Sequence, residues 1–409
     1  MAQQHPNCDG VVVVMVPLPA QGHLNQFLHL TRIVSSRAFP VHYIGSAIHN
    51  RQAKERVHGW DPSNISNIHF HDIHIPQFVT PPDIHVSASK FPLHVLQTFS
   101  AAFTHVREPF GVLLRDLCTC NRRVVVVYDT MMSFAAHEAS FLSNAEAYCF
   151  NPCSAFSVLH FVWESYGKPA DEEGSILPKD IPRISFGDTF PPEFQEFLPQ
   201  TMQWLHLSAG DIYNTCDAIE GRFVDIIAGG KLDKKVWSMG PFNPVAIAGT
   251  AHNSDHKCLE WLNKQPPNSV IFVSFGTSTT MSDDQITQFA VGLEKSEQRF
   301  IWVLRDADKE SLSMGVPIAA WPLHSDQPAN ALLVTEVLKA GLLVREWEQK
   351  DELLSADTIE SSIRKLMVSD EGNMMRKRAK EMGVNVRSAV SVGGTSTIHL
   401  ESFLNHISR

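Results

Sequence analysis

GVVVVMVPLPAQGHLNQFLHLTRIV, residues 10–34, carries a strand, a turn and a helix in one line. Val11–Val16 is a continuous run dominated by valine and ending at Pro17, the pattern of a strand covered on both faces in a parallel sheet. Pro19, Ala20, Gln21 and Gly22 make the turn. Leu24, Phe27, Leu28, Leu30 and Ile33 then follow a helical spacing. The motif recurs downstream. Val41–Ile44 reads as a second strand. Val124–Tyr128 reads as another, closing at Asp129 and followed by a helical pattern over Met131–Leu142. Strands alternating with helices predict an α/β fold with a parallel sheet.

The alternation restarts late in the chain. Val270–Phe275, Phe300–Leu304, Val316–Trp321 and Gly341–Val344 read as strands. Asp283–Leu293, Asp326–Leu338, most of 351–384 and Thr395–Ile407 read as helices. Residues 237–257 are rich in Gly, Pro, Asn and Ala and read as an interdomain linker. The expectation is two Rossmann-like, doubly wound domains facing each other across a cleft: 1–240, a linker over 241–257, and 258–409.

Composition narrows the function. The chain has 409 residues, 44% hydrophobic and 19% charged, enough for a core and too apolar for disorder. Its net charge of −10 argues against a general partner in nucleic acid or an anionic membrane. Seven cysteines in this length make no disulfide framework, and Cys118 and Cys120 have no second pair at zinc spacing. The segment MAQQHPNCDG lacks the positive region of a signal peptide, and no apolar run reaches about 18 residues. The sequence is therefore expected to be soluble and cytoplasmic.

Polar residues at strand ends are the candidates for chemistry, because ligands of open α/β sheets bind beyond the carboxyl ends of the strands. His23 follows the first strand and Asp129 ends a later one. Such a pair suits a base that takes a hydroxyl proton and a carboxylate that balances the resulting imidazolium. Position alone fits equally an exposed histidine and an unrelated capping aspartate. Gly276-Thr277-Ser278 fits either a phosphate cradle or a tight strand-to-helix turn. Asp326 and Gln327 open a helix, for which capping is a sufficient reason. Glu310 taken alone is a surface carboxylate. His69, His71 and His74 alternate along a strand, but no carboxylate or cysteine at ligand spacing accompanies them, so no metal site is expected.

GVPIAAWPLHSDQPAN, 315–330, resembles the end of the signature box of the plant UDP-dependent glycosyltransferases. Gly-His-Leu-Asn at 22–25 is similar to that family's catalytic histidine motif, and VIFVSFGT at 270–277 to its first C-domain strand. VHGWDP (57–62), HFHDIHIP (69–76), IYNTCDAIEG (212–221), GPFNP (240–244) and CLEWLNKQPPNSV (258–270) resemble the zeatin O-glucosyltransferases. The resemblance implies a GT-B fold, with the acceptor on the N-domain and the UDP-sugar on the C-domain. It implies inverting transfer with no metal or resident cofactor. The partners would be UDP-glucose or UDP-xylose and a small hydroxylated acceptor of the cytokinin kind. His23 would take the acceptor proton and Asp129 would orient it. Thr277 and Ser278 would meet the diphosphate, Glu310 the ribose, and Asp326 with Gln327 the sugar. On the same reading, the segment 78–110 and residues near Phe150, Phe156 and Trp163 line the acceptor pocket, although an ordinary core fits those aromatic residues equally well.

One departure stands out. FIWVLRDADK, 300–309, runs straight into ESLSMGVP, 310–317, where the family has a uracil-stacking tryptophan and a His…Gly-Trp-Asn-Ser section for the phosphates. Some 26 box residues and a preceding loop are missing, roughly two strands and two helices. The C-domain is expected to be incomplete after about residue 309, and must re-pair its remaining strands or fold poorly. Two outcomes follow: a glycosyltransferase with severely reduced or absent activity, or a non-catalytic remnant that binds an acceptor without UDP-sugar.

Overall fold

A computed structural model describes residues 10–56, 60–76, 93–168, 176–187, 189–229, 234–242, 257–276, 281–303 and 314–409. The Val11–Val16 strand, β1, lies inside a seven-stranded sheet. After it come α1 (Gln21–Ser35), β2 (Val41–Ser46), α2 (Ala47–Arg56), β3 (Ile68–Ile73), α3 (Leu93–Cys120) and β4 (Arg123–Asp129). The first half then adds α4 (Phe134–Ala139), β5 (Ala145–Asn151), α5 (Ala155–Ser165), α6 (Pro192–Met202), β6 (Gly210–Tyr213), α7 (Asp217–Ala228) and β7 (Lys235–Ser238). All pairings are parallel, in the order β3-β2-β1-β4-β5-β6-β7.

The valine run is explained by the two cores it serves. Side chains alternate across a strand. Val12, Val14 and Val16 enter one core with Phe99, Phe110 and Phe134, while Val13 and Met15 enter the other with Phe27 and Leu28. β4 splits in the same way, Val124 and Val126 against Val125 and Val127. A strand with no wet face needs no polar alternation.

The second half holds α8 (Lys257–Leu262), β8 (Val270–Ser274), α9 (Asp283–Lys295), β9 (Arg299–Val303), β10 (Ile318–Ala320), α10 (Gln327–Leu332), β11 (Gly341–Leu343), α11 (Ala356–Val368), α12 (Asp370–Ala389) and α13 (Thr395–Ser408). Its strands form two separate parallel pairs, β8-β9 and β10-β11. No pairing of β8 with β10 is seen among the described residues. Helices α9 and α11 cover one face of β8-β9 through Val273, Phe289, Leu293, Ile359 and Ile363. They approach closely at Gly292, where a Cβ would lie 2.7 Å from Ile359. On the other face Phe272 is 52% exposed, and α8 exposes Leu259, Trp261 and Leu262.

Three elements differ from their sequence reading. The helix expected over Met131–Leu142 opens as a tight turn at Thr130–Met132, because the Asp129 carboxylate caps the Met131 N–H, and only Phe134–Ala139 is α-helical. The one expected over Asp326–Leu338 is α10 followed by a widened turn, Leu333–Val337, in which Leu338 N–H reaches the Leu333 carbonyl. The helix at Thr395–Ser408, counted with the second domain, packs instead on the first sheet. Phe403, Leu404 and Ile407 join the core of Tyr148, Phe150 and Trp237. Ser396 Oγ donates to the Gly240 carbonyl at 2.6 Å. Most of the expected linker, 243–256, lies outside the described residues.

Candidate active site

The carboxyl ends of β1 and β4 are neighbours in the sheet, Val16 pairing with Tyr128. Residues just beyond them therefore meet. His23 stands in the first turn of α1 and Asp129 at the end of β4, 106 positions away, and His23 Nδ1 lies 2.7 Å from Asp129 Oδ2. Asp129 is fully buried, while the His23 side chain is 24% exposed. The other carboxylate oxygen accepts the Met131 N–H at 3.0 Å. One oxygen is thus fixed by backbone, which aims the other at the imidazole. A carboxylate only accepts, so Nδ1 carries the proton and Nε2 keeps its lone pair. A ring nitrogen with a lone pair on a partly exposed imidazole, backed by a buried carboxylate, can take a proton from a hydroxyl brought to it.

The turn of α1 after His23 is anchored from below. Buried Gln26 donates to the Gly22 carbonyl at 3.0 Å and accepts from Asn214 Nδ2 at 2.9 Å. Asn214 Oδ1 in turn accepts the Phe242 N–H at 2.9 Å. Tyr43 donates to the Leu24 carbonyl at 3.2 Å. Its hydroxyl is pushed far above the usual tyrosine range by burial, and further by the Asp129 charge, so it remains a neutral donor.

On the second half, Asp326 meets the first half through Asn330. Asn330 Nδ2 donates to Asp326 Oδ2 at 2.9 Å, and Asn330 Oδ1 accepts from Ser154 Oγ at 2.6 Å and Ser157 Oγ at 3.2 Å. Ser154 follows β5, two residues beyond the Pro152 carbonyl that Gln26 also reaches. Ser325, at φ 58°, gives its N–H to the Thr189 carbonyl at 3.0 Å. Gln327 Oε1 accepts the N–H groups of Leu323 (2.8 Å) and His324 (3.4 Å), so its amide group is what remains for a ligand.

Thr277, Ser278 and Glu310 lie outside the described residues. Phe150, Phe156 and Trp163, read as pocket lining, are core: Phe150 meets Phe27 edge-on, Phe156 meets Phe223, and Trp163 is packed in the same cluster as Phe156. His69 and His71 share a face with His42 of β2, and His42 Nδ1 lies 2.7 Å from His71 Nε2. No group of three or more His, Cys, Asp or Glu suited to a metal ion occurs among the described residues. Asn330, Ser154, Gln26 and Asn214 were not singled out in the sequence. Helical spacing is the available signal for two of them, Gln26 one turn beyond His23 and Asn330 one turn beyond Asp326.

A family model described as "Glycosyltransferase, N-terminal domain" matches residues 9–244. The chain is 40% identical to a zeatin O-glucosyltransferase of Phaseolus lunatus over 462 aligned positions, covering 99% of this chain and 98% of that one. It is 39% identical to a zeatin O-xylosyltransferase of Phaseolus vulgaris, with 98% of both chains covered. Among solved structures it is similar to Phytolacca americana UGT2 complexed with UDP-2fluoro-glucose and pterostilbene, with TM-score 0.76, 20% identity, 99% of this chain and 100% of that one covered. That likeness gives the fold as α/β GT-B. Among the described residues no helix is long and apolar enough to cross a membrane.

Proposed function

This chain belongs to the plant UDP-dependent glycosyltransferases, and on that premise we propose that it carries the inverting transfer of glucose, or xylose, from a UDP-sugar to a hydroxyl of a cytokinin-like acceptor. The observation that carries the reading is the His23–Asp129 pair at 2.7 Å. The acceptor hydroxyl gives its proton to His23 Nε2. Its oxygen forms the bond to the anomeric carbon as the bond from that carbon to the UDP oxygen breaks. The buried Asp129 carboxylate balances the imidazolium. Residues 1–240 are read as the acceptor side and 258–409 as the donor side, in a cytoplasmic protein. Asp326 and Gln327 take the sugar hydroxyls, Glu310 the ribose, and Thr277 with Ser278 the diphosphate.

The donor side is read as incomplete after about residue 309, and transfer as severely reduced or absent. Three observations support this. Among the described residues the second-half strands fall into two separate pairs. Phe272 and α8 keep apolar surface in solvent. The alignment with the Phaseolus lunatus relative spans 462 positions against 409 residues here. Without the phosphate-holding section, charge developing on the UDP leaving group loses its main electrostatic support. The second reading, an acceptor binder without UDP-sugar, rests on the same observations.

Calorimetric titration of the purified chain with UDP, beside a zeatin glucosylation assay, separates the two. Weak or undetectable UDP binding, above about 1 mM, is expected. Binding at tens of micromolar with measurable turnover would refute the incomplete donor side.

A further inference from the structure

His23 sits on a helix start that is weak by itself. Ala20, at the N-cap of α1, makes no side-chain cap, and the first turn holds no acidic residue. A Ser, Asp or Asn at the cap would satisfy one of the free N–H groups. Gly22 adds backbone freedom inside the turn. Yet His23 Nδ1 must stay 2.7 Å from Asp129. The bracing comes from the interior. The carbonyls on either side of His23 are each held by a buried side chain, Gly22 by Gln26 at 3.0 Å and Leu24 by Tyr43 at 3.2 Å.

The orientation of Gln26 is forced. The Phe242 N–H can only donate, so Asn214, just beyond β6, turns Oδ1 to it and its NH2 group to Gln26. Gln26 must answer with Oε1. That leaves its own NH2 group for the Gly22 carbonyl and, at 3.5 Å, the Pro152 carbonyl beyond β5. We propose that Gln26 is a positioning residue for the transfer: set by Asn214, it takes the place of the missing helix cap and holds the α1 turn so that His23 Nδ1 stays on Asp129. The inference rests on reading His23 as the base, and it adds the side chains that keep the base aimed.

The test is solvent exchange of the His23 Nδ1 proton, followed by nitrogen-15 NMR of the full chain, which needs no turnover. A bonded proton exchanges only when its contact opens. Gln26→Met keeps the volume but removes the bonds, and should speed exchange about fivefold. Asn214→Asp keeps the Phe242 bond but has no donor for Gln26. The Gln26 amide must then turn its NH2 group to the new carboxylate and its oxygen to the Gly22 carbonyl. Exchange should quicken to a similar extent, whereas a Gln26 that merely packs would not respond. In the Gln26→Met background Gly22→Ala should reverse most of the gain by stiffening the turn, since a Cβ there meets nothing within 4 Å. His160, buried with its ring nitrogens 2.8 Å from the Phe156 and Pro182 carbonyls, reports on the fold and should exchange as in the parent. His23 exchange within about twofold of the parent in either single variant overturns the proposal. So does an equal rise at His160, or a gain that Gly22→Ala leaves intact. An unmodified chain whose His23 carries no proton on Nδ1 overturns the base reading itself, and this inference with it.

Discussion

Asp129→Asn is nearly isosteric, and its effect follows from which atoms can donate. The Met131 N–H can only donate, and it now bonds Asp129 Oδ1 at 3.0 Å. In the variant the amide oxygen must stay there, which turns the NH2 group toward His23. An imidazole that kept its proton on Nδ1 would then face donor against donor. The ring must shift its proton to Nε2, and the nitrogen that should accept the hydroxyl proton becomes a donor. The imidazolium also loses a carboxylate at 2.7 Å. With charge centres about 4 Å apart and an effective dielectric of ~20, that attraction is about 4 kcal/mol, or about a thousandfold in the proton-transfer step. Stability should change by only about 1 kcal/mol, since the backbone bond survives and a buried charge is removed. Nitrogen-15 NMR of the histidine side chains reads the tautomer directly and needs no turnover, and a urea melt checks the fold. Any transfer activity should drop about a thousandfold alongside. A variant whose His23 still carries its proton on Nδ1, or whose transfer rate stays within about tenfold of the parent, would refute the reasoning.

Four further outcomes are expected. Phe403→Ala removes a fully buried ring that meets Tyr148 and Trp237 edge-on at 5.3 and 5.2 Å. It should cost about 4 kcal/mol, and hydrogen exchange should rise in the peptides of β5 and β7 rather than in α11. Ile398→Ala, on the exposed side of the same helix, should stay within about 0.5 kcal/mol in the same denaturation experiment. Gly292→Ala should destabilise the second half by about 1–3 kcal/mol in urea, reversing the usual helical gain, because the new methyl meets Ile359 and the Ala356 carbonyl at 2.7 and 2.8 Å. His42 is pushed down to about 4 by burial and by the neighbouring His71 and His69. The unfolded chain therefore binds the extra proton first. This contribution is intact above about pH 6.5 and is lost as the pH falls toward 4. Partial exposure limits it to about 1–2 kcal/mol. His42→Phe should flatten that part of a melting-temperature profile.

What could be read in the sequence was local. The valine run of β1 announces a doubly covered strand because period two is written in adjacent residues. His23 and Asp129 could each be placed at a strand end. Their pairing depended on β1 and β4 becoming neighbours across 106 positions, which no local pattern encodes. The Asn330 link to Ser154 and Ser157 depends likewise on how two distant elements meet. For Phe150, Phe156 and Trp163 the sequence left pocket lining and core open, and the structure packs all three in the core. An aromatic side chain suits a ligand pocket and a core equally, and only packing decides between them. The destination of α13 was also hidden, since an amphipathic helix records that it must bury a face but not against which sheet.

That destination reaches into the order of events during synthesis. The strands of the first sheet are all made by residue 238, yet the face bearing Tyr148 and Trp237 is not covered until residues 403–407 have been added. At roughly 5–20 residues per second, the interval is on the order of ten to thirty seconds. Throughout it the nascent first half carries an open apolar face, a ready substrate for chaperones and a point of entry to aggregation. Completion of the first half is then a late event, and losing the residues from Thr395 onward strikes the sheet that was made first.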